Sequence, residues 1–124
     1  MSISALNYIS DIMKSIGIPY QFGEWTDEVP DRYYVGEYQE IPSPTKEEDG
    51  GQETSFILNG WTRKSCMILE QDKETIERSL PKSRMNQDGS CVAVFYDSAF
   101  PVPTGDGELK RIQINLTIKE WKVI

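Results

Sequence analysis

The clearest pattern in the chain is an alternation of apolar and polar residues near its C-terminal end. Ile112, Ile114, Leu116 and Ile118 are separated by a polar residue at every intervening position. A period of two indicates a β-strand with one buried and one wet face. We place this strand at residues 109–122, where it would extend on the order of 45 Å at about 3.3 Å per residue. A strand of that length is expected either to bend at a bulge or to project beyond its sheet and offer an edge to another chain.

A helical pattern opens the chain. Apolar residues at spacings of three and four form one stripe, made of Ile3, Leu6, Ile9, Met13 and Ile16. That spacing is typical of a helix that packs one face on a sheet. Ser2 or Ser4 can cap its start, and Gly17 followed by Pro19 indicates its end.

A second helix is predicted from about Ser65 to Leu80, because Leu69, Ile76 and Leu80 share one face and Pro81 follows. The polar residues of this segment are assigned to a solvated face, namely Glu70, Asp72, Glu74, Glu77 and Arg78. Trp61, Cys66 and Met67 are bulky or soft groups near the helix start. They indicate either a subunit contact at that point or completion of the monomer core.

Further strands are expected at residues 33–41, 54–61 and 91–96, with a short one within 20–25, because these segments are rich in aromatic and β-branched residues. Residues 82–90 have turn chemistry. Two polar stretches rich in proline and glycine, 42–53 and 97–108, are expected to be mobile loops. The sequence therefore predicts a single α+β domain over residues 1–124.

The net charge and the apolar runs of the chain indicate which kinds of partner to expect. There are 20 acidic and 13 basic residues, for a net charge of −7. Duplex DNA is bound by clusters of lysine and arginine, so sequence-specific nucleic-acid binding is not expected. No apolar run approaches the roughly 20 residues that span a bilayer, and the N-terminus does not resemble a secretory signal. We therefore expect no membrane association and a cytosolic location.

The residues that usually carry catalysis are scarce. The chain has no histidine, and Cys66 and Cys91 lack the close pairing of a zinc motif. We interpret them as two reduced thiols, with a disulfide between them left open. Asp97, Asp106 and Glu108 lack the spacing of a calcium loop. The sequence therefore predicts no catalytic, cofactor or metal site, and a structural protein rather than an enzyme.

Several segments resemble small tail proteins of long-tailed bacteriophages and prophages of Gram-positive bacteria. They are LNYISDI at 6–12, YVGEY at 34–38, FPVPTG at 100–105 and LKRIQINL at 109–116. Within that group the order of elements is most similar to the tail terminator, or tail-completion, proteins. The resemblance implies a mixed, mainly antiparallel sheet with two helices packed on one face.

The same resemblance implies a role and partners. Tail terminators form hexameric rings on the end of the tail tube, where the head is joined. The expected partners are therefore further copies of the chain and the tail tube or head-connector proteins. The expected location is the virion, or the host bacterial cytoplasm during assembly. No cofactor is implied, and an acidic surface would let DNA pass without tight binding.

Eight residues are candidate contacts with another subunit or a partner: Tyr34, Tyr38, Trp61, Phe100, Arg111, Gln113, Asn115 and Trp121. An alternative from a different class is a small adaptor that binds one protein partner through the aromatic segment 20–41. In that case Tyr34 and Tyr38 would make the contact without supporting the fold.

Overall fold

The structure, a computed structural model, describes residues 1–40 and 51–122 of the 124-residue chain. The elements in chain order are α1 (Ile3–Ser15), β1 (Tyr20–Phe22), β2 (Arg32–Gln39), β3 (Gly51–Thr62), α2 (Cys66–Ser79), β4 (Lys82–Met85), β5 (Cys91–Val102) and β6 (Lys110–Trp121). The strands form one sheet in the order β1-β2-β3-β6-β5-β4, curved into a half-barrel. Only the β1–β2 pair is parallel among the described strands. The predicted α+β fold, a mixed and mainly antiparallel sheet with two helices, is confirmed.

Strand β6 has the alternating burial that its sequence predicts, and it lies in the middle of the sheet. Ile112, Ile114, Leu116 and Ile118 are all buried in the core beneath the helices. All 12 residues of β6 pair with β3, and those from Arg111 to Trp121 also pair with β5. The expectation of a projecting edge is therefore wrong. Strands β3 and β5 are as long as β6, and the irregularity falls in β5, between Tyr96 and Ser98.

Helix α1 begins where the sequence predicts, but its buried face is rotated from the predicted stripe. The Ser2 hydroxyl accepts a hydrogen bond from the Ala5 amide and caps the helix. Gly17 adopts a φ of 75° just after the helix end, a conformation that favours glycine. The buried residues are Ala5, Tyr8, Ile9, Ile12 and Met13. Small Ala5 and amphipathic Tyr8 belong to the buried face, so the centre of that face lies away from Ile3. Ile3 is therefore 77% exposed.

Helix α2 differs from its prediction at one residue, Asp72, which was assigned to the solvated face. Ser65 caps the helix by accepting from the Met67 amide, and Leu69 and Ile76 are buried as predicted. Asp72 is also buried, because it lies between those two residues on the same helix face. The carboxylate is satisfied there by donors from β2.

Two predicted loops and one predicted turn contain strand. The segment predicted as a turn at 82–90 begins with β4, a short edge strand whose polar residues give no alternating pattern. Strand β5 continues to Val102, so the loop predicted at 97–108 is reduced to the connection after that residue. Of the loop predicted at 42–53, residues 51–53 belong to β3, and the part up to residue 50 lies outside the described residues.

Candidate interaction surface

The two faces of the sheet differ in what covers them. Helices α1 and α2 pack on the face that carries the buried β6 residues. No other described element covers the opposite face, which we call the open face. Six of the eight predicted contact residues lie on this face, in register across β3, β6 and β5: Trp61, Phe100, Arg111, Gln113, Asn115 and Trp121. The structure therefore brings together most of the candidate contacts.

A row of three aromatic side chains and one arginine, each in contact with the next, crosses one end of the open face. The ring of Tyr33 stacks on Trp61 with centroids 5.3 Å apart, and the ring of Trp25, tilted by 53°, has its centroid 5.4 Å from that of Tyr33. The guanidinium carbon of Arg111 lies 5.4 Å from the centroid of the Trp61 ring. We call these four residues the aromatic row. Each such contact contributes about 0.5–1.5 kcal/mol, so the row is pre-ordered in the single chain.

The row follows from the strand register. Tyr33 pairs with Trp61, and Trp61 pairs with Arg111, so the three side chains stand beside one another on neighbouring strands. Their sequence neighbours Tyr34, Gly60 and Ile112 are buried on the opposite side. Sequence reasoning did not single out Trp25 and Tyr33 as contacts, although both lie in the aromatic segment 20–41 of the adaptor alternative. The alternation within that segment could have separated Tyr33 from Tyr34.

Arg111 is held in place without a carboxylate partner among the described residues. Its Nη2 donates to Asn59 Oδ1 at 2.7 Å, while its Nε is buried with no hydrogen-bond partner in the same part of the chain. The other half-buried arginines there, Arg32 and Arg84, each bind a carboxylate at 2.8–2.9 Å. A buried charged donor without a partner costs about 1–3 kcal/mol or more. Among these half-buried arginines, Arg111 thus differs in having no ion pair within the described residues.

The middle of the open face is a hydrogen-bonded polar array. Gln113 donates to Asn115 at 3.0 Å, and Asn115 donates to Ser98 at 3.1 Å. The Thr117 hydroxyl donates to the Asp97 carboxylate at the bulge. These side chains are held by one another within the single chain, and ordering of this kind lowers the entropy that a surface loses when it binds.

The far end of the open face is apolar. Met85 is 72% exposed there, beside Phe95, Cys91 and Trp121 in an open groove of about 630 Å³. The open face therefore has aromatic and apolar groups at both ends and amides between them, and tryptophan, tyrosine and arginine are residue types that are enriched at protein–protein interfaces.

The other two predicted contacts are not on this face. Tyr34 is a wrong candidate, because its side chain is wholly buried and its ring lies over Gly60. Burial also raises the pKa of its hydroxyl. Tyr38 is 39% exposed but belongs to the helix-bearing face, where it stacks on Phe22 with centroids 5.9 Å apart.

The reactive groups of the described residues are used by the fold or stand alone. Buried Asp72 is held by Arg32 and Tyr34, and buried Glu120 accepts from the Ser2 hydroxyl. Cys66 and Cys91 are both free thiols, so no disulfide joins them. Residues 1–40 and 51–122 contain no group of three or more cysteine, aspartate and glutamate side chains placed to hold a metal ion.

The comparisons with known proteins bear on the fold. Neither a protein-family model nor a curated protein matches the chain. Solved structures share its architecture, and one aligns over 100% of this chain and 99% of its own with a TM-score of 0.62 at 14% identity. The name of that protein describes no activity or partner. Among the described elements, no helix is both long and apolar enough to cross a membrane.

Proposed function

We propose that this chain is a structural tail protein of a long-tailed phage or prophage. Its role is that of a tail terminator or minor tail component that forms a homo-oligomeric ring at the end of the tail tube, a hexamer if the resemblance extends to ring size. The resemblance of the sequence segments supports the class of protein. The observation that carries the mode of action is the open face, whose aromatic row and polar array are ordered before any partner binds.

The strand edges are poorly suited to joining copies, which favours the open face as the contact. The edge strands β1 and β4 have 3 and 4 residues. Beyond β4 the outer side of β5 carries a bulge next to Asp97, and then Pro101, which lacks an N–H. Short edges, bulges and prolines are the devices that prevent strand addition.

The charges are compatible with self-association through that face. The whole chain carries −7, so copies repel one another over most of their surfaces. The open face has both signs, with Arg111 and Lys119 among Glu37 and Glu53. Contact there adds attraction as well as repulsion. The remaining acidic surface suits a ring through which DNA passes without binding.

The test is the mass of the purified protein by light scattering over a wide concentration range, with negative-stain imaging of any assembly. We expect closed rings, and we expect Trp61→Ala to weaken assembly because it removes the centre of the aromatic row. Ile3→Ala is the matched control, since Ile3 is exposed on the helix side. A protein that stays monomeric at every concentration contradicts the proposal.

One observation supports the adaptor alternative: Phe22 and Tyr38 in the segment 20–41 stack on each other and are both exposed. A pull-down with one defined partner, such as a tail tube protein, separates the two functions. If Tyr38→Ala abolishes capture by a monomeric protein while Trp61→Ala does not, the adaptor function is favoured. The opposite pattern favours the open face.

A further inference from the structure

The outer side of helix α2 carries groups that complement the aromatic row. The helix buries Leu69, Asp72 and Ile76, so the residues on its opposite side point to solvent. Those outer residues are Met67, Gln71, Glu74 and Arg78, all of them exposed. Met67 is 63% exposed, unusually high for a large apolar side chain. The Glu74 carboxylate forms no ion pair within the described residues.

The spacing of the two sets of groups agrees. Met67 and Glu74 lie two helical turns apart on one side of α2, a separation of about 10.5 Å at 1.5 Å per residue. Tyr33 and Arg111 belong to β2 and β6, with β3 between them. Two strand spacings of about 4.8 Å separate them by roughly 9.6 Å. A helix that lies across the strands therefore spans the row at both ends.

We infer that helix α2 of a second copy of this chain docks across the aromatic row. Glu74 of the neighbouring copy binds the guanidinium of Arg111, which has no carboxylate partner within the described part of its own chain. Met67 of the neighbouring copy packs on the rings of Tyr33 and Trp61. This contact rests on the proposed self-association and names the groups that make it.

The chemistry of each pair favours the contact. A carboxylate bound to a guanidinium forms charge-assisted hydrogen bonds, which are stronger than neutral ones. A thioether on an aromatic ring forms a favourable sulfur–aromatic contact. Arginine, tyrosine and tryptophan at the centre of an interface are the residues that most often dominate its affinity. One exposed apolar group and one carboxylate are thus covered by the same contact.

The location of the two surfaces determines the kind of assembly. The aromatic row lies on the open face, and α2 lies on the other face of the sheet. The contact joins two different surfaces of the same chain, so every copy can offer both. Such head-to-tail contacts repeat from copy to copy and close into a ring when the rotation allows it.

Exchanging the charges of Glu74 and Arg111 tests the contact. Glu74→Arg and Arg111→Glu are compared singly and together by light scattering as a function of concentration. Each single variant is expected to raise the concentration of half-assembly by about tenfold or more, since like charges then meet. The double variant should return to within a few fold of the wild type, because the pair is restored with opposite polarity.

Matched controls separate this contact from a general charge effect. Glu77→Arg makes the same charge change as Glu74→Arg about one turn further along the same helix, and Lys14→Glu changes an exposed cation on helix α1, away from the open face. Both should assemble as the wild type does. Circular dichroism checks that each variant is folded. Glu74 is exposed, so Glu74→Arg gives a usable result even if Arg111→Glu disturbs Asn59.

Each outcome has a distinct meaning. If the wild type assembles and Glu74→Arg assembles equally well, the contact is overturned and the proposed function stands. If both single variants weaken assembly but the double variant does not recover, the pairing of Glu74 with Arg111 is overturned. If the wild type is monomeric throughout, both the contact and the ring are overturned.

Discussion

The hydroxyl of Tyr34 donates a hydrogen bond of 3.1 Å to the carboxylate of Asp72, and so connects the second strand to the second helix. Nε of Arg32 donates to the same oxygen at 2.8 Å. A carboxylate inside the core is thereby satisfied by two donors from one strand. Removing either donor leaves a buried charge with fewer partners, a larger penalty than the loss of an exposed ion pair.

Substitutions at Tyr34 should separate its hydroxyl from its ring. Tyr34→Phe removes only the donor and should lower the free energy of unfolding by about 1–3 kcal/mol. Tyr34→Ala also removes the packing over Gly60 and should lower it by about 3–5 kcal/mol. Urea titration measures both values. Equal stability of Tyr34→Phe and the wild type would mean that the hydroxyl contributes nothing.

The pH dependence of stability should include a contribution from Asp72. Burial raises its pKa above the ordinary value, although Arg32 and Tyr34 oppose the shift. The folded state therefore binds this proton more tightly than the unfolded state, so protonation stabilises the fold as the pH falls through the raised pKa. Above that pKa the stabilisation is absent.

The measurement is the difference in free energy of unfolding between the wild type and Asp72→Asn. The amide side chain of the variant does not titrate, while the other carboxyl groups cancel in the difference. This quantity should therefore move in favour of the wild type as the pH is lowered from neutral. A difference that is constant with pH contradicts the raised pKa.

Glycine at position 60 should be required for packing. A β-carbon there would lie 2.3 Å from the ring of Tyr34, which is itself fully buried and has no space to move into. Gly60→Ala should therefore destabilise the protein by about 1–3 kcal/mol. Gly107 faces open space, so Gly107→Ala is the matched control and should be nearly neutral in thermal denaturation.

The two helix caps should differ in their importance. Ser65 caps α2 at an exposed position, whereas Ser2 caps α1 and also donates its hydroxyl to the buried carboxylate of Glu120. Loss of a cap alone costs about 0.5–2 kcal/mol. Ser2→Ala should lower the free energy of unfolding more than Ser65→Ala does, because it also removes the hydrogen-bond donor to the buried Glu120 carboxylate. Chemical denaturation of both variants checks the order.

The sequence predicted the elements whose periodicity is strong and local. Strand β6 alternates without interruption, α1 is capped by one of the two serines that the sequence offered, and α2 begins next to Ser65, where its start was predicted. Strand β4 was missed because an edge strand that is mostly exposed has no buried face to impose a pattern. The burial of Asp72 was missed for a related reason. Hydrophobic periodicity cannot identify a buried carboxylate whose burial depends on a hydrogen bond from Arg32, which is distant in sequence.

The candidate surface was predicted in its residues but not in its organisation. Arg111, Gln113 and Asn115 were found because alternation along one strand assigns them to the wet face. Their alignment with Trp61 and Tyr33 depends on the register between strands that are distant in sequence, which no local pattern encodes. Tyr34 was taken as a contact for a different reason, because alternation along β2, which places Tyr34 in the core and Tyr33 on the open face, was not applied to this pair.

The position of β6 between β3 and β5 makes the sheet a structure that its final strand completes. Until residues 110–121 are synthesised, the β1–β2–β3 group and the β4–β5 hairpin have no strand pairing with each other, since each is joined to the other only through β6. During synthesis on a ribosome, the β1–β2–β3 group and the β4–β5 hairpin therefore stay unpaired with each other, and their apolar surfaces remain exposed to water. A nascent chain arrested before this strand should be sensitive to protease, and it should become resistant only once the strand has left the exit tunnel.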